Sequence, residues 1–199
     1  MHQFLTELSS ASPTPGGGGA AALIGAISAS LCSMVANLTT GKKKYAQYQE
    51  RIDEYLAILP GIIENLEADI KKDADAFAPL AAAYSMDKSS PDYEEKMEAA
   101  TLNAAIAPLE ITRDIYNLVP IIEEMSVIGS RLAISDVAVA ATSAIAALES
   151  AVMNIYINTK SLKDRETADR MNEEAIHMVK DGKERLGRVY DEIMLGLRG

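Results

Sequence analysis

Apolar residues recur every three or four positions along the chain, and no stretch keeps the two-residue alternation of a half-buried strand. The pattern predicts a short opening helix over about 2–10, followed by five long helical segments. The first long segment, about 18–39, is apolar nearly all round and so belongs at the centre of the fold. The second, about 44–86, carries a stripe through Ile52, Tyr55, Leu59, Leu66, Ile70, Phe77, Leu80 and Tyr84. Pro60-Gly61 predicts a kink or break in it, because proline removes a ladder hydrogen bond. The linker Asp87-Lys88-Ser89-Ser90-Pro91 precedes the third, about 92–118, where Pro91 suits the first turn and Pro108 predicts a bend. A separate turn over about 121–129 leads to the fourth, about 131–158. The last, about 164–197, is the cleanest amphipath, with Met171, Ala175, Met178, Leu186, Val189 and Ile193 on one face. The expected architecture is all-α: residues 1–199 as a single-domain bundle of about five long helices, some kinked at proline.

Composition agrees with that reading. Hydrophobic residues make up 48% and aromatics 5%, with no Trp, a mix that packed helices use better than pleated sheets. A net charge of −10 lacks the basic face that a nucleic-acid partner requires. A lone cysteine, Cys32, excludes an intrachain disulfide framework, and with two histidines no metal site is expected. The uncharged stretch from Leu8 to Gly41 includes about 27 Å of helix, long enough to cross a bilayer. Its Ala, Gly and Ser content, with Ser28, Ser30, Ser33 and Asn37 inside it, reads instead as a closely packed core helix. Glu7 interrupts the N-terminus before a signal-like apolar region forms. The expectation is a cytoplasmic protein with neither a membrane nor a nucleic-acid partner.

Polar residues that break the apolar pattern are the candidates for chemistry. Asp73 lies i+3 from Ile70 and i+7 from Leu66, and four and seven residues before Phe77 and Leu80. Those offsets put its carboxylate on the apolar face, where it needs a partner, a proton or a task. A structural partner and an acid/base role both fit. Asp69 and Asp75 read as surface residues. Asp136 repeats the anomaly, heading a row of small and polar positions through Ala140, Ser143, Ala147, Ala151, Asn154 and Asn158. Ser135-Asp136 also reads as a helix N-cap. Asp136 and Asn154 stand about 27 Å apart on an unbroken helix, so they mark two sites or two ends of an intersubunit cleft.

The run Ser12-Pro13-Thr14-Pro15-Gly16-Gly17-Gly18-Gly19 is a loop entering a helix N-terminus, where free N–H groups can hold an anion or the chain can simply pack tightly. It is not a P-loop, which needs a preceding strand and Ser or Thr after the lysine; Gly41-Lys42 is followed by Lys43. Cys32, mid-way along an apolar helix, reads as inert filler.

These motifs, with Met34-Val35-Ala36-Asn37-Leu38-Thr39, Gly41-Lys42-Lys43-Lys44-Tyr45, Asp73-Ala74-Asp75-Ala76-Phe77, Ser135-Asp136-Val137-Ala138-Val139-Ala140 and Asn154-Ile155-Tyr156-Ile157-Asn158, run in an order that resembles a known family. It is the cyclodeaminase domain of formiminotransferase-cyclodeaminase, whose single-domain relatives include methenyltetrahydrofolate cyclohydrolases. Ser85-Met86-Asp87-Lys88 stands where that family usually has Arg-Leu-Pro-Lys. The resemblance implies an all-helical homodimer that takes a tetrahydrofolate derivative as substrate and holds no permanent cofactor. It implies Asp73 and Asp136 as catalytic carboxylates, with Lys43 and Lys44 as proton donors or, with Lys42, as ligands for the substrate's glutamate. Pro15, Gly16, Gly17 and Gly18 would let the backbone approach the substrate, and Asn37, Asn154 and Asn158 would hydrogen-bond it or the opposing helix. The expected reaction is hydrolysis of 5,10-methenyltetrahydrofolate to 10-formyltetrahydrofolate. The alternatives are formiminotetrahydrofolate cyclodeamination and folate binding without turnover.

Overall fold

The computed structural model describes residues 1–199 as seven α-helices and two short 3-10 turns, without strands. They are α1 (His2–Leu8), α2 (Gly17–Thr39), α3 (Gln49–Tyr84), α4 (Tyr93–Tyr116), α5 (Val119–Ile128), α6 (Ile134–Thr159) and α7 (Arg165–Arg198). Five of these are long, as the periodicity predicts. The expected turn near residue 121 is a ten-residue helix of its own, α5.

α2 sits at the centre because it has no charged residue to keep in water. It runs antiparallel to α6, and three contacts fix the pairing. Gly17 lies against Asn154, the Ser28 hydroxyl donates to the Ala140 carbonyl at 2.8 Å, and the Ser130 N–H donates to Thr39 Oγ1 at 2.8 Å. Buried alanines on both helices let the backbones come close: Ala22, Ala26 and Ala29 on α2, and Ala140, Ala144 and Ala147 on α6. A Cβ on Gly25 would stand 2.8 Å from Ile115, so this glycine admits α4 to the core. By length and composition alone, α2 and the helix ending at Thr159 are also long and apolar enough to cross a membrane. α3, α4 and α7 complete the bundle around them.

Of the kink or break expected at Pro60, the break does not occur, since α3 is continuous through both Pro60 and Pro79. Both prolines lie on the exposed side of the helix, where water can take the carbonyls they free, while Tyr55, Leu59, Leu66 and Leu80 hold the other side in the core. α4 likewise runs on past Pro108, and Pro91 precedes the N-cap Asp92 instead of entering the first turn. The expected start of the second long segment is a 3-10 turn, Lys43–Tyr48, reached through Gly41 at a φ of +71°.

Asp69 corrects the sequence reading. It is 2% exposed, with one carboxylate oxygen bonded to Lys72 at 2.7 Å and the other buried without a donor. Asp114 on α4 lies close enough for the Asp69 charge to help raise its carboxyl pKa.

Candidate functional site

The first turn of α2 presents backbone N–H groups that no preceding carbonyl can satisfy, and no side chain caps it. A carboxylate from α3 does so instead. Asp73 Oδ2 accepts the Gly19 N–H at 3.1 Å, across 54 residues of sequence. The anion at this helix N-terminus is therefore the chain's own. Glycine is required beneath it, because a Cβ on Gly18 would stand 2.3 Å from Asp73 Oδ1. A Cβ on Gly17 would stand 2.8 Å from Asn154 Oδ1, whereas Gly16 has open space. Two glycines thus let two polar side chains from α3 and α6 converge on one helix end.

These groups line a cavity of about 260 Å³. Gly16, Gly17, Gly18, Asp73, Asn154 and Asn158 form its polar part. Asn154 Nδ2 donates to the Ser150 carbonyl at 2.9 Å, and Asn158 Nδ2 donates to the carbonyls of Asn154 and Ala104, each at 2.9 Å. Both amides are thus held in place by their donors, leaving Asn154 Oδ1 beside Gly17. Burial pushes the Asp73 carboxyl above the usual carboxylate range, opposed by the Gly19 N–H that favours the charged form. A carboxyl of raised pKa, reachable from a cavity and oriented by a backbone donor, is equipped to accept a proton and return it.

The remaining candidates lie elsewhere. Pro15 follows a cis peptide bond and sits behind the loop, lining a shallow groove between α1 and α3. Asn37 is exposed near the far end of α2, donating to the Ser33 carbonyl of its own helix at 2.9 Å. Lys42, Lys43 and Lys44 follow in an exposed turn. They are separated from Gly17 by the length of α2, about 33 Å for 23 residues. Asp136 is at that end too, in the first turn of α6, and Tyr45 ties the lysine turn to it by accepting the Arg131 N–H at 2.9 Å. The N-cap reading of Ser135-Asp136 is corrected: the N-cap residue is Ala133, and no side chain bonds there. Since α6 is unbroken, Asp136 and the lysines do not join Asp73 within one chain. The row below Asp136 is filled, because Ala140, Ala147 and Ala151 are fully buried.

Sequence reasoning missed the apolar half of the cavity: Phe77, Leu80, Tyr84, Ala104 and Ile157. Three of these were visible as the continuation of the Asp73 stripe at i+4, i+7 and i+11, where they read as ordinary core. Nothing local marks Ala104 or Ile157, which α4 and α6 bring in from elsewhere. Cys32 is buried as expected, and burial pushes its thiol up to about 12.

The chain matches proteins of known kind over most of its length. The model of the formiminotransferase-cyclodeaminase family covers residues 1–177. A methenyltetrahydrofolate cyclohydrolase of Methylorubrum extorquens is 36% identical over 97% of this chain and 95% of its own. A formimidoyltransferase-cyclodeaminase of Rattus norvegicus is 28% identical over 82% of this chain, which spans only 31% of that larger protein. The crystal structure of a formiminotetrahydrofolate cyclodeaminase from Thermotoga maritima superposes with a TM-score of 0.87 at 27% identity, over 98% of this chain and 96% of that one. With a family model covering residues 1–177 and a relative 36% identical almost end to end, the chain belongs to the formiminotransferase-cyclodeaminase family.

Proposed function

We propose that this protein is an enzyme of folate one-carbon chemistry that hydrolyses 5,10-methenyltetrahydrofolate to 10-formyltetrahydrofolate. The observation that carries the reading is the end-to-end match with a methenyltetrahydrofolate cyclohydrolase, 97% of one chain against 95% of the other. The site supports it chemically. The substrate's amidinium carbon is already electrophilic, so the protein must supply a base for water and an acid for the departing N5. Asp73, raised in pKa and aimed into the cavity, takes a proton from water as its oxygen bonds to that carbon. It then gives the proton to N5 as the C–N5 bond breaks, and the hydroxyl proton of the tetrahedral intermediate leaves to solvent as the formyl C=O forms. The same carboxylate stabilises the bound cation before attack. No resident cofactor enters this scheme, and a cytoplasmic location belongs to the same proposal.

A second reading is supported by the fold's likeness to the Thermotoga maritima cyclodeaminase. There N10 attacks the formimino carbon of 5-formiminotetrahydrofolate, and ammonia leaves after protonation. The deciding experiment follows the near-ultraviolet absorbance of 5,10-methenyltetrahydrofolate with chelator present. Decay well above the buffer rate supports hydrolysis. No decay, with the same chromophore appearing from the formimino compound, replaces it with the deaminase.

The proposal includes a homodimer. α2 has no charged residue and leaves Ile27, Met34 and Leu38 exposed, and α6 adds Val139 and Met153 on its own exposed side. A second copy fits such a row of exposed apolar side chains better than water does. A two-fold axis through the middle of the α2–α6 pair reverses both helices. It would carry the partner copy's lysine turn and first turn of α6 towards Asp73. Asp136, Lys43 and Lys44 then act in trans, with Lys42 and Asn37 as substrate contacts beside them.

A further inference from the structure

The cavity is sorted by polarity along α3. Asp73 stands at its polar end among the glycines and Asn154, and Phe77, Leu80 and Tyr84 continue from it at successive turns into the apolar end. Asp73 and Tyr84 are eleven residues apart, about 16 Å of helix, and a long helical side chain leans back over the turn before it. The Tyr84 ring therefore covers the stretch just beyond Leu80. Tyr84 is 64% exposed, and Ile157, on the α6 side of the same cavity, is 67% exposed. Two large exposed apolar side chains on one cavity rim mark a surface meant to be covered. The space of about 260 Å³ is below the roughly 300–1,000 Å³ that encloses a drug-sized ligand, so a folate cannot be swallowed whole.

We propose that Tyr84 is a specificity residue that stacks on the aryl ring of the substrate's aminobenzoyl-glutamate tail as it leaves the cavity. This rests on the folate reading above and adds to it which part of the substrate the chain reads. The order of chemistry in the site is the order in the substrate: a charged fused ring system whose bridge carbon reacts, then an aromatic ring on N10. Asp73 and its polar neighbours meet the first, and Phe77, Leu80 and Tyr84 meet the second. An aromatic ring on a flat aryl group gives contact area at little entropic cost, and it does not alter the reacting carbon. Tyr84 therefore acts on substrate capture and not on the chemical step.

The test compares wild type, Tyr84→Ala and Tyr84→Phe on two substrates. One is 5,10-methenyltetrahydrofolate; the other is a truncated methenyl compound whose N10 carries a methyl group in place of the aminobenzoyl-glutamate. Tyr84→Ala is expected to raise KM for the full substrate about tenfold with kcat within about threefold, while Tyr84→Phe stays within about twofold of wild type. On the truncated compound the alanine variant should match wild type. An unchanged KM, or the same loss on both substrates, overturns the stacking role while leaving the cyclohydrolase reading intact. A shift in dimerisation with unchanged KM would assign Tyr84 to the subunit interface and overturns it too. Wild-type protein inactive on methenyltetrahydrofolate would overturn both.

Discussion

Gly18 and Asp73 define each other: the hydrogen on the one is all that fits beside the carboxylate of the other, since a Cβ there would come within 2.3 Å of Oδ1. Gly18→Ala must push the Asp73 carboxyl away from the Gly19 N–H. The expected result is a loss of about a hundredfold or more in kcat, as misplacement of a reacting group costs, with about 1–3 kcal/mol of overpacking strain. Gly61→Ala is the control, because a side chain there, on the exposed side of α3, meets open space away from the cavity. Steady-state rates and melting curves of both variants check the pair, and equal rates would break the link between the glycine and the carboxylate.

Asp73→Asn keeps the acceptor for Gly19 and removes the proton carrier. Turnover should fall about 10²–10⁴-fold, the range of general acid–base catalysis. The sign of the stability change follows from the raised pKa. Burial favours the neutral carboxyl, so its contribution to stability is complete below the unfolded-state pKa and is lost as pH rises through the folded-state value. At neutral pH the asparagine variant should therefore melt higher than wild type, and the difference should shrink in acid. Wild-type turnover should fall off in acid with an apparent pKa above the ordinary carboxylate range. A variant that melts lower at pH 7 than at pH 4, relative to wild type, would contradict this.

The Asp69–Asp114 contact predicts a second stabilising substitution away from the cavity. Asp114 is raised in pKa by burial and by the neighbouring Asp69 charge, and Asp69 carries a buried oxygen without a donor. Wild-type stability should decline as pH climbs from the unfolded carboxyl value, about 3.9, through the raised folded one. In Asp114→Asn the amide can donate to Asp69, a hydrogen bond worth about 1 kcal/mol. That is about 2–4 °C in the unfolding midpoint of a chain this size at pH 8. A lower midpoint would mean that the introduced amide does not reach Asp69.

Complementation tests the trans arrangement. If Asp73 works with the partner copy's lysines, Asp73→Asn and a Lys43→Ala/Lys44→Ala double variant are each impaired. Mixed under conditions that exchange subunits, they should regain up to about a quarter of wild-type activity, from heterodimers with one intact site. Activity no greater than the average of the two parents would overturn the trans arrangement. Met34→Glu, on the uncharged face of α2, should shift the protein to monomers in sedimentation and abolish that regain.

The all-helical fold was legible because it is written in local periodicity. The charge-free run that became α2 could only be central, and the amphipathic α7 follows its apolar stripe nearly residue for residue. The anomaly at Asp73 was legible too, because a carboxylate in register with Ile70 and Phe77 conflicts with its own helix. Asp69 escaped notice because its burial is created by α4. Its own neighbours, Lys71 and Lys72, look like a solvated face. Pro60 is the opposite case: a local rule leaves kink and break open, and packing of Leu59 and Leu66 against the core keeps α3 continuous despite one lost hydrogen bond. Sequence alone determined which helices form and which side chains are out of place on them. Only the antiparallel pairing of α2 with α6, and the seat of α3 against the glycine turn, decided that Asp73, Gly18 and Asn154 meet while Asp136 and the lysines stand a helix length away. Periodicity fixes the face a residue takes on its own helix, but distance between helices is set by small residues packing across sequence separations that no local pattern encodes.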